Sequence, residues 1–319
     1  SVVKKIKENI ISDISLPAVS FTFWDHFPYA SMKFNDILIK EIDDGFNGDT
    51  LLYAKEAYAN FNIIDILKKD YIISRIYIDN GDIKVRYNKE NRPNFLIFKR
   101  DTTKKNKVII NDIFLNESSI NYIRLSNNTY IDWDIYEGVL EIEKKNIIIN
   151  SSIKSNNLFS HKTEYLKNKE CSFSTEIYFN EDTLIIRESE LFIEDVKTLV
   201  EGNIINKNLD LTIQAKDQKI RSIINYMPDN FKKVCQSFIM DGTISCNAQI
   251  KGFASISKNP TFNMDFNIKN GDFELKKIPF VLNSISTSGR VNNGKDNNFE
   301  TTSISFSEFH SKTNKGFLN

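Results

Sequence analysis

The sequence predicts a mainly β fold, a long twisted antiparallel sheet with a few short helices, one of them at the N-terminus. Three observations predict it. Between Thr261 and Lys269 the chain alternates without error. Phe262, Met264, Phe266 and Ile268 fall on one side and Asn263, Asp265, Asn267 and Lys269 on the other, the period of a half-buried strand. Asp79-Asn80-Gly81-Asp82 separates two runs of strand character and reads as a hairpin turn, which makes the pairing antiparallel. No long helical period stands between successive strands, which disfavours βαβ units and leaves a meander, a sandwich or an extended groove.

The first element expected is a short amphipathic helix over residues 2–14, with Val2, Val3, Ile6, Ile10, Ile11 and Ile14 near one face and Pro17 ending it. Strand character follows from Val19 to Ile42, broken at Phe27-Pro28-Tyr29, and the turn cluster Asp43-Asp44-Gly45 closes it. Leu51 to Phe61 reads as a strand, and Asn62 is placed to cap a brief helix from Ile63 to Lys69. Strands are expected from Tyr71 to Ile78 and from Ile83 to Tyr87. Further candidates are 107–115, 119–125, 129–135, 139–144, 146–153, 172–179, 183–187, 190–193, 198–205 and 209–215.

A third helix is expected from Asp217 to Tyr226, where Ile220, Ile223 and Ile224 recur at helical spacing ahead of Pro228. After it come strand candidates 242–252, 260–270, 271–278, 283–291 and 299–306.

At 319 residues and 40% hydrophobic content the chain is long enough for a large core and about two domains. The division expected is an N-terminal region over residues 1–100 and a continuing β region over 101–319. Lys and Arg number 42, as do Asp and Glu, so the charge balance favours neither nucleic acid nor an anionic surface. Cys171, Cys235 and Cys246 define no CxxC pair, and free thiols are expected, with a Cys235–Cys246 bridge left open. No run of about 18 apolar residues occurs, and Ser1-Val2-Val3-Lys4-Lys5 does not resemble a signal peptide. The chain is expected to be part of a longer protein, with any membrane anchor upstream of Ser1.

Chemistry-bearing patterns are sparse. His26, His161 and His310 lack metal-ligand spacing, and phosphate-binding glycine loops and the GxSxG elbow are missing. The acidic pairs Asp43-Asp44, Asp132 with Asp134, and Glu141 with Glu143 read as rows on a solvated sheet face, since i and i+2 share a side of a strand. No catalytic residue, metal ligand or cofactor is expected. What remains is the asymmetry of the two faces. An apolar sheet face must be covered, and periodicity alone leaves both a sandwich core and an acyl-chain groove open.

Three stretches carry a resemblance. The first is Phe27-Pro28-Tyr29-Ala30-Ser31-Met32-Lys33-Phe34-Asn35-Asp36-Ile37-Leu38-Ile39. The second is Gly48-Asp49-Thr50-Leu51-Leu52-Tyr53-Ala54-Lys55, followed by Phe61-Asn62-Ile63-Ile64-Asp65-Ile66-Leu67. The third runs from Ile73 to Ile83 and ends at Arg92-Pro93-Asn94-Phe95. In order and spacing they resemble the start of the AsmA family. Gly242, Ile244, Ala248, Ile250 and Gly252 more loosely resemble the repetitive C-terminal regions of AsmA and TamB proteins.

The resemblance implies a taco-like β-groove of the bridge-like lipid-transfer type. It would lie in the periplasm of a diderm bacterium, anchored in the inner membrane in the full-length protein, and would pass phospholipids in support of outer-membrane biogenesis. The groove residues expected are Ile83, Val85, Tyr87, Leu209, Leu211, Ile213, Ile244, Ala248, Ile250, Phe262, Met264, Phe266 and Ile268. The partners expected are phospholipid acyl chains, the inner membrane through its anchor, and outer-membrane proteins, with no nucleic acid. A non-enzymatic scaffold for outer-membrane protein assembly is the alternative function.

Overall fold

The computed structural model describes residues 11–22, 29–42, 46, 48–62, 73–97, 110–160, 163–226, 232, 235, 238–253, 259–276, 280–298, 300–313 and 316–318. The protein is mainly β, and its strands form open, twisted sheet not closed into a barrel. It divides into two compact units, residues 1–170 and 171–319.

Unit one holds β1 (Ile14–Ser15), β2 (Ala18–Thr22), β3 (Tyr29–Lys40), β4 (Thr50–Asn62), β5 (Ile73–Tyr87), β6 (Asp112–Arg124), β7 (Thr129–Glu143), β8 (Asn146–Ser160) and β9 (Thr163–Tyr165). β1 and β2 share one edge of β3, and from β3 onward each strand pairs with the next. The expected helix over residues 2–14 lies mostly outside the described residues. Its last position, Ile14, is instead a strand residue opposite Ile39. The brief helix expected over 63–69 lies outside the described residues altogether.

One joint departs from the antiparallel expectation: β5 and β6 run parallel, Arg75 opposite Asp112 through Tyr87 opposite Arg124. The link between them, residues 88–111, is long enough to return the chain to the start of β5 without a helix-period sequence. Its first part is pinned by Asn94, which is fully buried. Asn94 Nδ2 donates to Glu41 Oε2 at 3.0 Å and to the Lys84 carbonyl at 2.8 Å, and Asn94 Oδ1 accepts from the Arg86 N–H at 2.9 Å. Glu41, itself 3% exposed, also faces Arg86 Nε at 3.3 Å. A buried carboxylate needs such partners, and here they come from three separate stretches of chain.

The second correction is to strand length. Asp79-Asn80-Gly81-Asp82 is not a hairpin; β5 runs straight through it. Asn80 has φ of 50°, and the pairing with β4 skips from Glu56–Asp79 to Ala54–Gly81. The same device recurs at Glu117 in β6, Asp217 in β13, Asn270 in β15 and Ser284 in β16, each at positive φ inside a strand. At Asp217, Asn270 and Ser284 the register shifts by one, so these are β-bulges, in which an added residue bends the strand and raises its twist; at Asn80 and Glu117 the pairing with both neighbours keeps its register. At several of them a bulky residue and a small one three positions on share a face: Ile78 with Gly81, Leu115 with Ser118, Ile135 with Gly138. All six are buried. At Gly81 the approach is close, since a Cβ there would lie 2.5 Å from Ile78 Cγ2.

Unit two holds β10 (Lys169–Asn180, beginning just before the division), β11 (Thr183–Ile193), β12 (Val196–Ile205), β13 (Asn208–Lys219), helix α1 (Ile220–Tyr226), β14 (Phe238–Phe253), β15 (Thr261–Leu275), β16 (Phe280–Asn292), β17 (Ser303–Thr313) and β18 (Gly316–Leu318). Successive strands pair antiparallel from β10 to β18. α1 confirms the third expected helix in a shorter form and packs on β13 and β14. Asp195, in the turn between β11 and β12, ties the helix down, accepting from Ser222 Oγ at 2.7 Å and Tyr226 Oη at 2.8 Å.

Candidate functional site

The alternation of β15 sets up the candidate site. Directly opposed residues of an antiparallel pair share a face, so the register extends each apolar residue of β15 into a row across the unit. One row runs Ile213, Ala248, Met264, Val291, Ile304. The next runs Ala215, Cys246, Phe266, Gly289, Phe306. Leu211, Ile250 and Phe262 form a third, and Leu209 continues their face one position along at Gly252. Ile244 and Ile268 are opposed beyond the second row. The unit-two candidates Leu209, Leu211, Ile213, Ile244, Ala248, Ile250, Phe262, Met264, Phe266 and Ile268 therefore lie together on one face.

The opposite face is polar in register. Gln214, Asn247, Asp265 and Arg290 form one row, and Arg290 holds Asp265 by two bonds, Nε to Oδ1 at 2.6 Å and Nη2 to Oδ2 at 3.1 Å. The guanidinium keeps the Asp265 carboxyl below its usual range. A hollow of about 700 Å³ adjoins this row, lined by Gln214, Asn247 and Asp265 together with Lys197, Leu199, Lys216 and Phe266. Lys197 is paired with Glu190 at 2.6 Å.

Burial separates the apolar residues into two kinds. Ala215, Ala248 and Phe266 are 7%, 5% and 8% exposed, whereas Leu209, Leu211, Ile213, Ile244, Ile250, Phe262, Met264 and Ile268 are only half-buried. Phe266 is enclosed because its ring lies over Gly289, where a Cβ would stand 2.6 Å from Phe266 Cζ, and meets the Phe306 ring edge-on at 5.9 Å. Burial also pushes the Cys246 thiol pKa up. The three cysteines are free. Within unit two, α1 packs on β13 and β14, Lys232 and Cys235 are also helical, and among the described residues no second sheet layer covers the half-buried side chains.

In unit one, Ile83, Val85 and Tyr87 also share a face, with Ile120 and Tyr122 beside the first two. Ile83 and Val85 are half-buried. Tyr87 is half-buried too, its ring edge-on to Phe95 at 5.8 Å and tilted to Tyr122 at 5.9 Å, with the Arg124 guanidinium 5.3 Å from its centroid. Around β3 and β4 the same unit is sealed, with Met32, Ala54, Ala57, Ala59 and Phe61 all at 7% exposure or less.

Sequence reasoning missed Ala215, Cys246, Gly289, Val291, Ile304 and Phe306, which complete the rows. The signal for Cys246 was present, since it falls between Ile244 and Ala248 in the same alternation. Among the described residues no cluster of His, Cys, Asp or Glu converges to hold a metal, and no helix is long and apolar enough to cross a membrane. His26 and His161 lie outside the described residues, as do Asp43 and Asp44. The chain matches no family model, no curated protein and no solved structure.

Proposed function

We propose that this chain is a lipid-holding segment of an AsmA-like protein, whose apolar β-face accommodates phospholipid acyl chains and lets them move along it. On this reading the full-length protein is anchored in the inner membrane, its body lies in the periplasm of a diderm bacterium, and it supports outer-membrane biogenesis. No chemical step is required of it. The observation that carries the reading is the open row structure of unit two: apolar side chains in register across β13 to β17, half-buried and backed by a polar face. Acyl chains gain about 0.8 kcal/mol per buried CH₂ on such a surface. With no hydrogen-bonding group in the rows from Leu211 to Phe262 and from Ile213 to Ile304, a chain meets no fixed stopping point.

The test is native mass spectrometry of the purified chain, with photo-crosslinking from Phe262 and Met264 and from the polar-face control Asn263. Phospholipid adducts at 262 and 264 but not at 263 are expected, and Met264→Asp should reduce loading by placing a charge in the path. Protein free of phospholipid, with crosslinks at 262 and 264 that go only to other proteins, would sink the reading.

A further inference from the structure

The hollow on the polar face of unit two is a trough between two walls. One wall is the row Gln214, Asn247, Asp265; the other is Ser245 opposite Asn267, with Lys216 at the β13 bulge. Between the walls run Ala215, Cys246 and Phe266, whose side chains belong to the apolar face, so the floor is backbone. Lys197 and Leu199 of β12 line one end. There β12 and β13 part: their pairing stops at Leu199 and Gln214, and the Lys197 N–H donates to Gln218 Oε1 at 3.0 Å instead of to a β13 carbonyl. At about 4.8 Å per strand the trough runs roughly 14 Å across β12 to β15. Its volume of about 700 Å³ falls within the about 300–1,000 Å³ of small-molecule sites.

The wall side chains divide into spent and unspent. Lys197 is paired with Glu190, Asp265 with Arg290, Ser245 with Asp217, and Gln218 with the Lys197 N–H. Among the described residues Gln214, Lys216, Asn247 and Asn267 have no side-chain partner, and all four are exposed. Three of these four are carboxamides, which both donate and accept. A multiply charged anion would find one uncommitted cation, Lys216. A peptide strand would find no free backbone, because the floor is bonded into the β13–β14 and β14–β15 ladders. An acyl chain would strip the amides of water and return nothing. A neutral polyol matches the set, since each hydroxyl also donates and accepts. Its C–H faces can rest on Leu199, at 37% exposure the one exposed apolar side chain of the lining. We infer that this trough binds a neutral oligosaccharide of about three sugar units, lying across β12 to β15. The inference goes beyond lipid holding and stands without it, because the trough lies on the face opposite the apolar rows.

Saturation-transfer NMR and isothermal titration of the unaltered chain with maltotriose and with tri-N-acetylchitotriose test it. At least one sugar is expected to bind with a Kd on the order of 1 mM or tighter, as a few exposed hydrogen bonds allow. Asn247→Leu with Asn267→Leu should weaken that binding at least about tenfold. Gln214→Ala, confined to one exposed side chain, should weaken it about threefold and decides the question if the double variant unfolds. Asn263→Leu, on the same face of β15 but outside the trough, should leave it unchanged. The inference is overturned if neither sugar gives saturation transfer at up to about 20 mM, or if the Asn247, Asn267 and Gln214 changes leave binding as it was. It is equally overturned by sugar binding that inorganic phosphate displaces and Lys216→Met abolishes, the signature of an anion site.

Discussion

Phe266 and Gly289 provide the sharpest test of how the open face is built. Phe266→Ala removes a side chain only 8% exposed, whose ring lies on Gly289 and against Phe306. In a closed core such a truncation costs about 3–5 kcal/mol, part of it for the cavity left behind. Here no described second layer closes the cavity, so the loss approaches the transfer contribution alone, about 2–3 kcal/mol. For a unit of this size that lowers Tm by roughly 5–10 °C. The complementary change, Gly289→Ala, places a methyl 2.3 Å from the Ser305 carbonyl oxygen and 2.6 Å from Phe266 Cζ. It forces β17 outward and should cost about 1–3 kcal/mol. Because both act on one contact, the double variant should lose less than the sum, with a coupling of about 0.5 kcal/mol or more. Met264→Ala, at a half-buried position of the neighbouring row, should cost about 1 kcal/mol. Thermal and urea unfolding followed by circular dichroism read all four. Additive losses, or a Phe266→Ala cost no larger than that of Met264→Ala, would refute the packing of the ring on the glycine.

Two further outcomes follow from the polar pins. Asn94→Ala leaves the Arg86 N–H, the Lys84 carbonyl and Glu41 short of a partner in a buried site and should destabilise unit one by about 2–4 kcal/mol in urea unfolding; Asn94→Asp should cost more at pH 7, since it sets a second carboxylate at hydrogen-bond distance from Glu41. The Asp195 carboxyl is held below its usual range by hydrogen bonds from Ser222 and Tyr226, while burial, and then the bond to Asp195, push Tyr226 up to about 12. A depressed carboxylate stabilises above its unfolded pKa, about 3.9, and loses that contribution as pH falls through the folded value; a raised phenol stabilises below its unfolded pKa, about 10, and loses it as pH rises through about 12. The attachment of α1 should therefore be strongest between those limits. NMR of isotope-labelled tyrosine should show Asp195→Asn bringing Tyr226 down toward the ordinary range; an unmoved titration would remove Asp195 from this role.

Strand identity was legible wherever one period ran unbroken, as in β15 and β4. Strand length was not. Asp79-Asn80-Gly81-Asp82 reads as a hairpin turn, and Asn270-Gly271 as the boundary between two strands, because a turn and an interruption within a strand call for the same residues: one that tolerates positive φ, followed by one without a bulky side chain. What distinguishes them is phase. After a turn the apolar residues restart on a returning strand; after a bulge they continue forward on the same face, shifted by one, as Ile268 and Gly271 do. The parallel joint between β5 and β6 left no local trace, because it is set by long-range pairing, and the Asn94 pin beside it draws on Glu41, 53 residues away in sequence. The shared face of the unit-two candidates was legible from alternation alone, but the burial of Phe266 was not, since it depends on which residue β16 places beneath the ring.

The two faces of β15 differ in kind, and the difference constrains what each accepts. The rows from Leu211 to Phe262 and from Ile213 to Ile304 offer methyl, methylene and aromatic carbon, with no donor or acceptor to fix an orientation. Burial there is non-directional and proportional to area, so an occupant that changes length and slides loses nothing by doing so. The opposite face offers the reverse, amides and the Asp265–Arg290 pair, the latter with its partners fixed in position. A fluid hydrocarbon suits the first face and gains nothing on the second. Met264→Asp should therefore lower lipid loading, while Asn263→Asp, one residue away on the polar face, should leave it unchanged. Equal losses from the two changes would mean that loading does not distinguish the faces, and the separation argued from their chemistry would fail.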